Sequence, residues 1–229
     1  MKLGINAGHT LKGAGSGAVG ILSESDETRA VVKELNALLK TGGHTVVDCT
    51  IDSASSQNVY LQKVVEFANR QDLDYFISIH FNKTKGAKGV EVYTYGGRQF
   101  ADALEVCKNI SVLGFVNRGV KSGTGLYVIR KTKAKSMLIE VCFVDDPDAS
   151  KYKQLGARKI AEVIYKAVVD TNISNTSSNF LIKVANVAKG DVLNIREKAD
   201  ASSRITGKLA YNDPNEYTIV ETKKVGSET

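Results

Sequence analysis

The sequence has few cysteines and no long apolar run. Its three cysteines, Cys49, Cys107 and Cys142, are odd in number, widely spaced and without a CxxC pair. This pattern excludes a disulfide framework and a thiolate zinc site, so we expect reduced cysteines in a core. No stretch approaches the roughly 18 apolar residues of a membrane-spanning helix, and the first thirty residues lack the order of a secretory signal. We therefore expect synthesis in the cytoplasm and no membrane insertion.

Acidic residues are outnumbered by basic ones. The chain has 31 Lys and Arg against 25 Asp and Glu, which gives a formal charge of +6 and a pI near 9.1. Such a charge favours an anionic partner, and nucleic acid, an acidic membrane surface and an anionic polymer all qualify. The densest basic run, RKTKAK (residues 130–135), has none of the interleaved aromatic residues that a single-strand nucleic-acid platform needs. We interpret it as a solvated loop and expect no nucleic-acid partner.

Residues 2–169 alternate short apolar runs with amphipathic segments of helical length. This alternation predicts an α/β domain with an open, mostly parallel six-stranded sheet flanked by helices. The predicted helices lie near residues 25–40, 56–71, 99–111 and 150–169. The predicted strands are KLGINA (2–7), HTVVDC (44–49), YFISIHF (75–81), GVEVYTY (89–95), LYVIR (126–130) and SMLIEVCFV (136–144).

The pattern changes after residue 169. Residues 170–179, DTNISNTSSN, are polar and have little to bury, which indicates a linker. Residues 180–229 contain short β-like runs separated by Gly, Asn, Asp and Pro, which predict a small all-β module. The expected organisation is therefore a domain at 1–169, a linker at 170–179 and a second module at 180–229.

Two polar residues interrupt apolar strands. His80 lies near the end of YFISIHF, and Glu140 lies in the middle of SMLIEVCFV. A buried imidazole or carboxylate is unfavourable unless it is paired, and burial raises a carboxyl pKa toward the range useful for proton transfer. Taken singly, His80 is also compatible with a satisfied core histidine, and Glu140 with a pair to a lysine.

His9 is a third polar residue at a strand end, because KLGINAG runs directly into it and into a glycine-rich loop. Sites in open α/β sheets lie at the carboxyl ends of the strands, so His9 and His80 reach one rim if their strands are parallel neighbours. Two histidines there are candidate ligands for zinc, which commonly takes three protein ligands and leaves a fourth position for water. Other divalent ions also accept such ligands.

Glu24 is the candidate for the third ligand. It shares a helical face with Thr28, Val31 and Leu35, the apolar face that points to the core. The alternative is an ordinary first-turn acid favoured by the helix dipole. The remaining histidine, His44, opens a strand at its amino end and so belongs to the opposite rim.

Four fragments in chain order resemble the zinc-dependent N-acetylmuramoyl-L-alanine amidases, specifically the AmiC-like branch that bacteria and their phages use to cut peptidoglycan. They are AGHT, a glutamate at a helix head, IHFN and LIEVCF, which contain His9, Glu24, His80 and Glu140. The segment RGVKSGTGLYVIR (118–130) also resembles the family. The resemblance covers residues 2 to about 169. Where relatives often have a proline before the last strand, this chain reads Ala134-Lys135-Ser136, a departure in a loop.

The resemblance implies that His9, Glu24 and His80 bind one zinc ion and that Glu140 is the catalytic carboxylate. The bond cleaved would be the amide between N-acetylmuramic acid and L-alanine of the stem peptide. Asn82 is a candidate for contacting substrate or orienting a ligand, with a structural role at the strand end as the alternative. We interpret Glu91, which alternates onto a face with two tyrosines, as structural.

The tail phrase LNIRE...SSRITGKL resembles bacterial SH3-like domains that anchor wall enzymes, although the chain ends before the closing strands of such a barrel. Together these features predict a peptidoglycan hydrolase, a phage or prophage endolysin released through a holin or by lysis. Peptidoglycan and anionic wall polymers are the expected partners. The alternatives are a non-catalytic wall-binding protein and a zinc peptidase that cuts within the stem peptide. The sequence gives no indication of oligomeric state.

Overall fold

A computed structural model of the chain describes residues 1–173, 180–182, 192–196, 205–210 and 217–219. It separates into two units, residues 1–171 and 172–229. The elements of the first unit are β1 (Lys2–Ala7), α1 (Glu24–Thr41), β2 (Thr45–Asp48), α2 (Gln57–Asn69), β3 (Tyr75–Asn82), β4 (Val90–Thr94), a 3-10 turn (Tyr95–Gly97), α3 (Ala101–Val112), β5 (Asn117–Ser122), α4 (Tyr127–Lys131), β6 (Lys135–Phe143) and α5 (Asp148–Ile173).

Six strands form one sheet in the order β2-β1-β3-β6-β4-β5. The first four strands in that order are parallel to one another, β4 is antiparallel to β6, and β5 is parallel to β4. The predicted fold class, an open and mostly parallel six-stranded sheet flanked by helices, is confirmed. Strands β1 and β3, which carry His9 and His80 at or near their ends, are parallel neighbours, as a shared site requires. Their carboxyl ends therefore meet at one rim of the sheet.

The sheet is buried between two layers of helices. Residues of α1, α3 and α5 pack on one face, and residues of α2 and α4 pack on the other. Helix α1 shows why such a segment forms a helix and which of its faces packs against the sheet. Its first turn carries three acids that complement the helix dipole, while Val31, Leu35 and Leu39 at three- and four-residue spacing are fully buried. All three cysteines are free and buried, as expected.

One predicted strand is wrong. LYVIR forms the short helix α4, and the strand lies earlier, at Asn117–Ser122. Strand β5 is an edge strand that pairs only with β4 and is partly exposed, so it lacks the apolar run that marks a buried strand. The basic run at 130–135 is not a continuous loop either, because it spans the end of α4 and the start of β6.

Helix α5 continues to Ile173, four residues into the segment predicted as a linker, and residues 174–179 lie outside the described residues. In the second unit, β7 (Phe180–Ile182) pairs with β10 (Tyr217–Ile219), and β8 (Val192–Arg196) pairs with β9 (Ile205–Ala210), both antiparallel. The remaining residues of 180–229 lie outside the described part, so the SH3-like assignment stays a prediction. Among the described helices, none has the length and apolarity needed to cross a membrane.

Candidate metal centre and active site

His9, Glu24 and His80 converge at the carboxyl rim of the sheet. His9 follows β1, His80 lies near the end of β3, and Glu24 is the first residue of α1. The Oε1 atom of Glu24 lies 3.2 Å from Nε2 of His9 and 3.1 Å from Nδ1 of His80. The three candidate ligand atoms all lie within 4.8 Å of one another. Glu24 is therefore more than a first-turn acid, since the helix start directs its side chain between the two histidines.

The backbone fixes the orientation of Glu24 and His9. The N–H groups of Phe81 and Ala18 donate to Oε1 and Oε2 of Glu24, at 3.0 and 2.8 Å. His9 has a φ of 67°, a strained value for a residue with a side chain, and its ring Nδ1 donates to the carbonyl of Gly15 at 3.0 Å. Arg29 Nη2 donates to the carbonyl of His9 at 3.0 Å. These contacts hold Nε2 of His9 toward Glu24.

Two glycines are required by close approach to these side chains. A Cβ added at Gly8 would lie 2.4 Å from ring atoms of His80, and a Cβ at Gly17 would lie 2.7 Å from Oε2 of Glu24. Neither distance is compatible with van der Waals contact. The glycine-rich loop therefore packs directly against the ligand set.

The charges of the three residues are coupled. Burial opposes ionisation of Glu24, yet its hydrogen bonds with His80 and His9 prevail and lower its pKa well below the ordinary value. Burial also opposes protonation of His9, but the hydrogen bond and charge of Glu24 outweigh it and raise the pKa of His9. For His80 burial prevails over the same partner and lowers the pKa. One carboxylate thus faces two imidazoles that differ in basicity.

The arrangement fits a divalent zinc ion. Zinc bonds of 2.0–2.1 Å in a tetrahedron place ligand atoms about 3.3 Å apart, close to the two distances from Oε1 of Glu24. The second ring nitrogen of His9 is bound by a backbone carbonyl, the outer contact that commonly orients a metal-ligating histidine. Two imidazoles and a carboxylate also form a common donor set of catalytic zinc sites.

Glu140 lies next to this cluster. It is directly opposite His80 across the β3–β6 pair, so both side chains project from the same face of the sheet. Its Oε2 atom is buried and has no hydrogen-bond partner among the described residues. Burial, followed by the negative charges of Glu24 and Glu91, raises the pKa of Glu140 to about 8. This carboxyl group can therefore exchange a proton near neutral pH.

His9, His80 and Glu140 line a groove of about 340 Å³. Residues of α2 and α4 form its apolar wall. Its lining residues are His9, Gln57, Tyr60, Leu61, His80, Gly125, Leu126, Tyr127, Val128, Leu138 and Glu140. The sequence does not indicate the α4 part of this wall, because the pattern of LYVIR predicts a strand. No periodic signal was available, since α4 has only five residues.

The other singled-out residues lie around this centre. His44 precedes β2, away from the cluster, with Nδ1 3.5 Å from the terminal amino group, as its assignment to the opposite rim requires. Asn82 donates to Oε1 of Glu91 at 2.8 Å, and among the hydrogen bonds of the described residues its side chain makes none to the three candidate ligands. Glu91 is buried in a network with Arg118 and Lys121, two residues that the sequence interpretation did not connect to the site.

Two histidines, a glutamate and a neighbouring buried carboxyl group at one rim are the kinds of groups that metal-dependent hydrolases use. The sequence matches the N-acetylmuramoyl-L-alanine amidase family over residues 3–170, and the chain belongs to that family. The family prediction from the sequence is thereby confirmed.

Similarity to individual proteins agrees with this assignment. The catalytic domain of the CD27L endolysin, which targets Clostridium difficile, is 28% identical with a TM-score of 0.69, covering 74% of this chain and 97% of that one. The amidase AmiC2 of Nostoc punctiforme is 28% identical with a TM-score of 0.65, covering 76% and 97%. The endolysin of Bacillus phage SPP1 is 32% identical over 63% of this chain. The chain spans 55% of that endolysin's length, and 53% and 65% of two Clostridium perfringens relatives.

Proposed function

We propose that the protein hydrolyses the amide bond between the lactyl group of N-acetylmuramic acid and the L-alanine of the stem peptide. One zinc ion would be held by His9, Glu24 and His80. The observation that carries the proposal is Glu140, whose buried and unpartnered carboxylate oxygen lies beside the candidate ligands in an open groove. Family membership supplies the substrate class.

Glu140 moves the proton in this reaction. A zinc ion in the cluster would supply Lewis-acid polarisation of the scissile carbonyl and acidify the attacking water. Glu140 accepts the proton of that water and then donates it to the leaving amine of L-alanine. Because the charge of Glu24 helps to raise the pKa of Glu140, a cation on Glu24 favours the ionised form that a base requires.

The backbone contacts keep this geometry in place before substrate arrives. Ala18 and Phe81 hold both oxygens of Glu24, while Gly15 orients His9, so little reorganisation is needed at the reacting centre. The apolar wall formed by Tyr60, Tyr127 and their neighbours excludes water from one side of the bond.

The similarity to two endolysins supports action on the bacterial wall after release from the producing cell. The net charge of +6 supports a further attraction to anionic wall polymers, and residues 180–229 are proposed as the wall-binding module. Sedimentation of the full chain with walls before and after removal of their anionic polymers tests this attraction. Equal binding to both preparations would refute it.

The experiment that tests the activity is digestion of purified peptidoglycan by zinc-loaded protein, followed by mass spectrometry of the new ends. Wild type should release stem peptides with free L-alanine amino termini. Glu140→Gln should lower the rate by at least about a hundredfold, the usual contribution of a general base, and chelator should abolish it. Glu105→Gln, which changes a half-buried, ion-paired glutamate of α3 outside the groove, is the matched control and should cleave like wild type.

The other possible functions give different products. Cuts inside the stem peptide would establish a peptidase instead. Wall binding without any cleavage, in protein shown to contain zinc, would support the non-catalytic alternative.

A further inference from the structure

Glu91 is a buried carboxylate on the catalytic face of the sheet. It lies directly opposite Glu140 across the antiparallel β4–β6 pair, so the two side chains project from the same face. Only 2% of Glu91 is exposed to solvent. His80, Glu140 and Glu91 therefore form one row across three adjacent strands, with the candidate metal centre at one end.

Four donors satisfy this carboxylate. Asn82 Nδ2 and Tyr93 Oη each donate to Oε1 at 2.8 Å. Arg118 Nε donates to Oε2 at 2.7 Å, and Lys121 Nζ donates to the same atom. Each oxygen of Glu91 thus accepts two hydrogen bonds. These contacts hold Arg118 and Lys121 of β5 at the end of the row.

The cluster has more positive charge than Glu91 neutralises. One carboxylate faces two cations, and the side chains of Arg118 and Lys121 are 33% and 36% exposed. Within the described part of the chain, Nε is the only guanidinium nitrogen of Arg118 that makes a hydrogen bond, so the Nη1 and Nη2 groups remain available. A planar pair of free N–H groups beside a second cation matches the geometry of a carboxylate ligand.

The position of the two cations relative to Glu140 sets the size of that ligand. Strands lie about 4.8 Å apart and β5 is two strands from β6, so the backbone of β5 lies about 10 Å from that of Glu140. The cations themselves lie nearer to Glu140, because both bind Glu91 on the intervening strand β4. Two residues of extended peptide span about 7 Å. A stem peptide whose first amide is cleaved beside Glu140 would reach the cations with its second residue. In peptidoglycan that residue is a D-glutamate linked through its γ-carboxyl, and its α-carboxyl is either free or amidated.

We infer that Arg118 and Lys121, held by Glu91, bind the free α-carboxylate of the second stem residue and set a preference for D-isoglutamate over D-isoglutamine. This inference depends on the proposed amidase function for its substrate. The competing explanation is that the two cations only neutralise Glu91. That explanation predicts no discrimination between the two substrates, because a structural pair does not contact either one.

The test uses two soluble muramyl tripeptides that differ only in this carboxyl or amide group, with zinc-loaded full-length protein. Wild type should show a kcat/KM at least about tenfold higher for the acid, the effect of one charge-assisted hydrogen bond. Arg118→Gln and Lys121→Met should each bring the acid-to-amide ratio toward one. Lys108→Met, which removes an exposed ion-paired lysine of α3, is the control and should retain the wild-type ratio.

A second measurement separates this inference from the amidase proposal. Calorimetric titration with the two product tripeptides, which carry D-isoglutamate or D-isoglutamine as the second residue, reports binding without cleavage. Selective binding of the acid, lost in Arg118→Gln, would support the subsite even if no amidase activity were found. A wild-type enzyme that cleaves and binds both forms equally would overturn the subsite and leave the amidase function intact. A proportional loss of activity on both substrates in the variants would also overturn it.

Discussion

Replacing Glu140 by glutamine should stabilise the metal-free protein, although it should lower the rate of the proposed hydrolysis at least about a hundredfold. Burial and the charges of Glu24 and Glu91 raise the pKa of Glu140 from 4.5 to about 8. Between these two values the folded state holds a proton that the unfolded chain has released. The contribution of Glu140 to stability is therefore fully present below about pH 4.5 and is lost as the pH rises through about 8. Glutamine has no such dependence.

The size of the effect follows from the two pKa values. Proton linkage gives Glu140 a destabilising contribution of about 1 kcal/mol at pH 5 and about 4 kcal/mol at pH 7.5. The free energy of unfolding of Glu140→Gln should thus exceed that of wild type by a margin that widens by about 3 kcal/mol over this range. Other titrating groups are shared by both proteins and cancel in the difference.

The assay is urea unfolding of the full chain in excess chelator at several pH values between 5 and 7.5. Helical circular dichroism is the suitable signal, because the chain has no tryptophan and the described helices all lie within residues 24–173. If the margin for Glu140→Gln does not change with pH, Glu140 ionises at its ordinary pKa and the reasoning about its environment is wrong.

Three further predictions concern the metal centre and the core. Gly17→Ala should weaken zinc binding at least about tenfold in a chelator competition, because its Cβ would lie 2.7 Å from Oε2 of Glu24; wild-type affinity would contradict the close packing. Zinc at a hundred times its dissociation constant should raise the free energy of unfolding by about 2.7 kcal/mol in wild type and by much less in His9→Ala. An equal rise in both proteins would show that zinc binds away from His9. Lys135→Met should destabilise the fold by about 3 kcal/mol in urea unfolding, because it removes the cation paired with the buried carboxylate of Asp102. A loss under about 1 kcal/mol would show that the backbone N–H of Ala103, which donates to Oδ1 of Asp102, is sufficient to stabilise this carboxylate.

The four central residues could be predicted from the sequence because each contradicts its local context. His80 and Glu140 interrupt apolar strands, His9 ends a strand, and Glu24 lies on the apolar face of a helix. Such placements are unfavourable in a core without partners, so the pattern itself indicates a site. The parallel pairing that brings them together also follows from the alternation of strands and helices.

The remaining parts of the site could not be predicted from local patterns. Strand β5 is an edge strand with polar residues, and α4 is too short to show helical periodicity. The sequence favours a structural role for Glu91, but its partners Arg118 and Lys121 lie on the missed strand, 27 and 30 residues away. Glu91, Arg118 and Lys121 come together only when their strands pair in the folded chain. No fixed spacing in the sequence therefore indicates that they interact.

The reversal of strand direction between β6 and β4 has a consequence for how access to the site can vary. Strands β3 and β4 lie on opposite sides of β6, so residues 83–89, which connect them, must pass over the carboxyl end of β6. This connection contains Lys83, Lys85 and Lys88, and Lys83 reaches across to the carbonyl of Val19 in the glycine-rich loop. Insertions or substitutions in this connection would change the surface at the carboxyl end of β6 while the register of every strand stayed the same. The surface at this rim can thus vary independently of the candidate metal ligands and of the core.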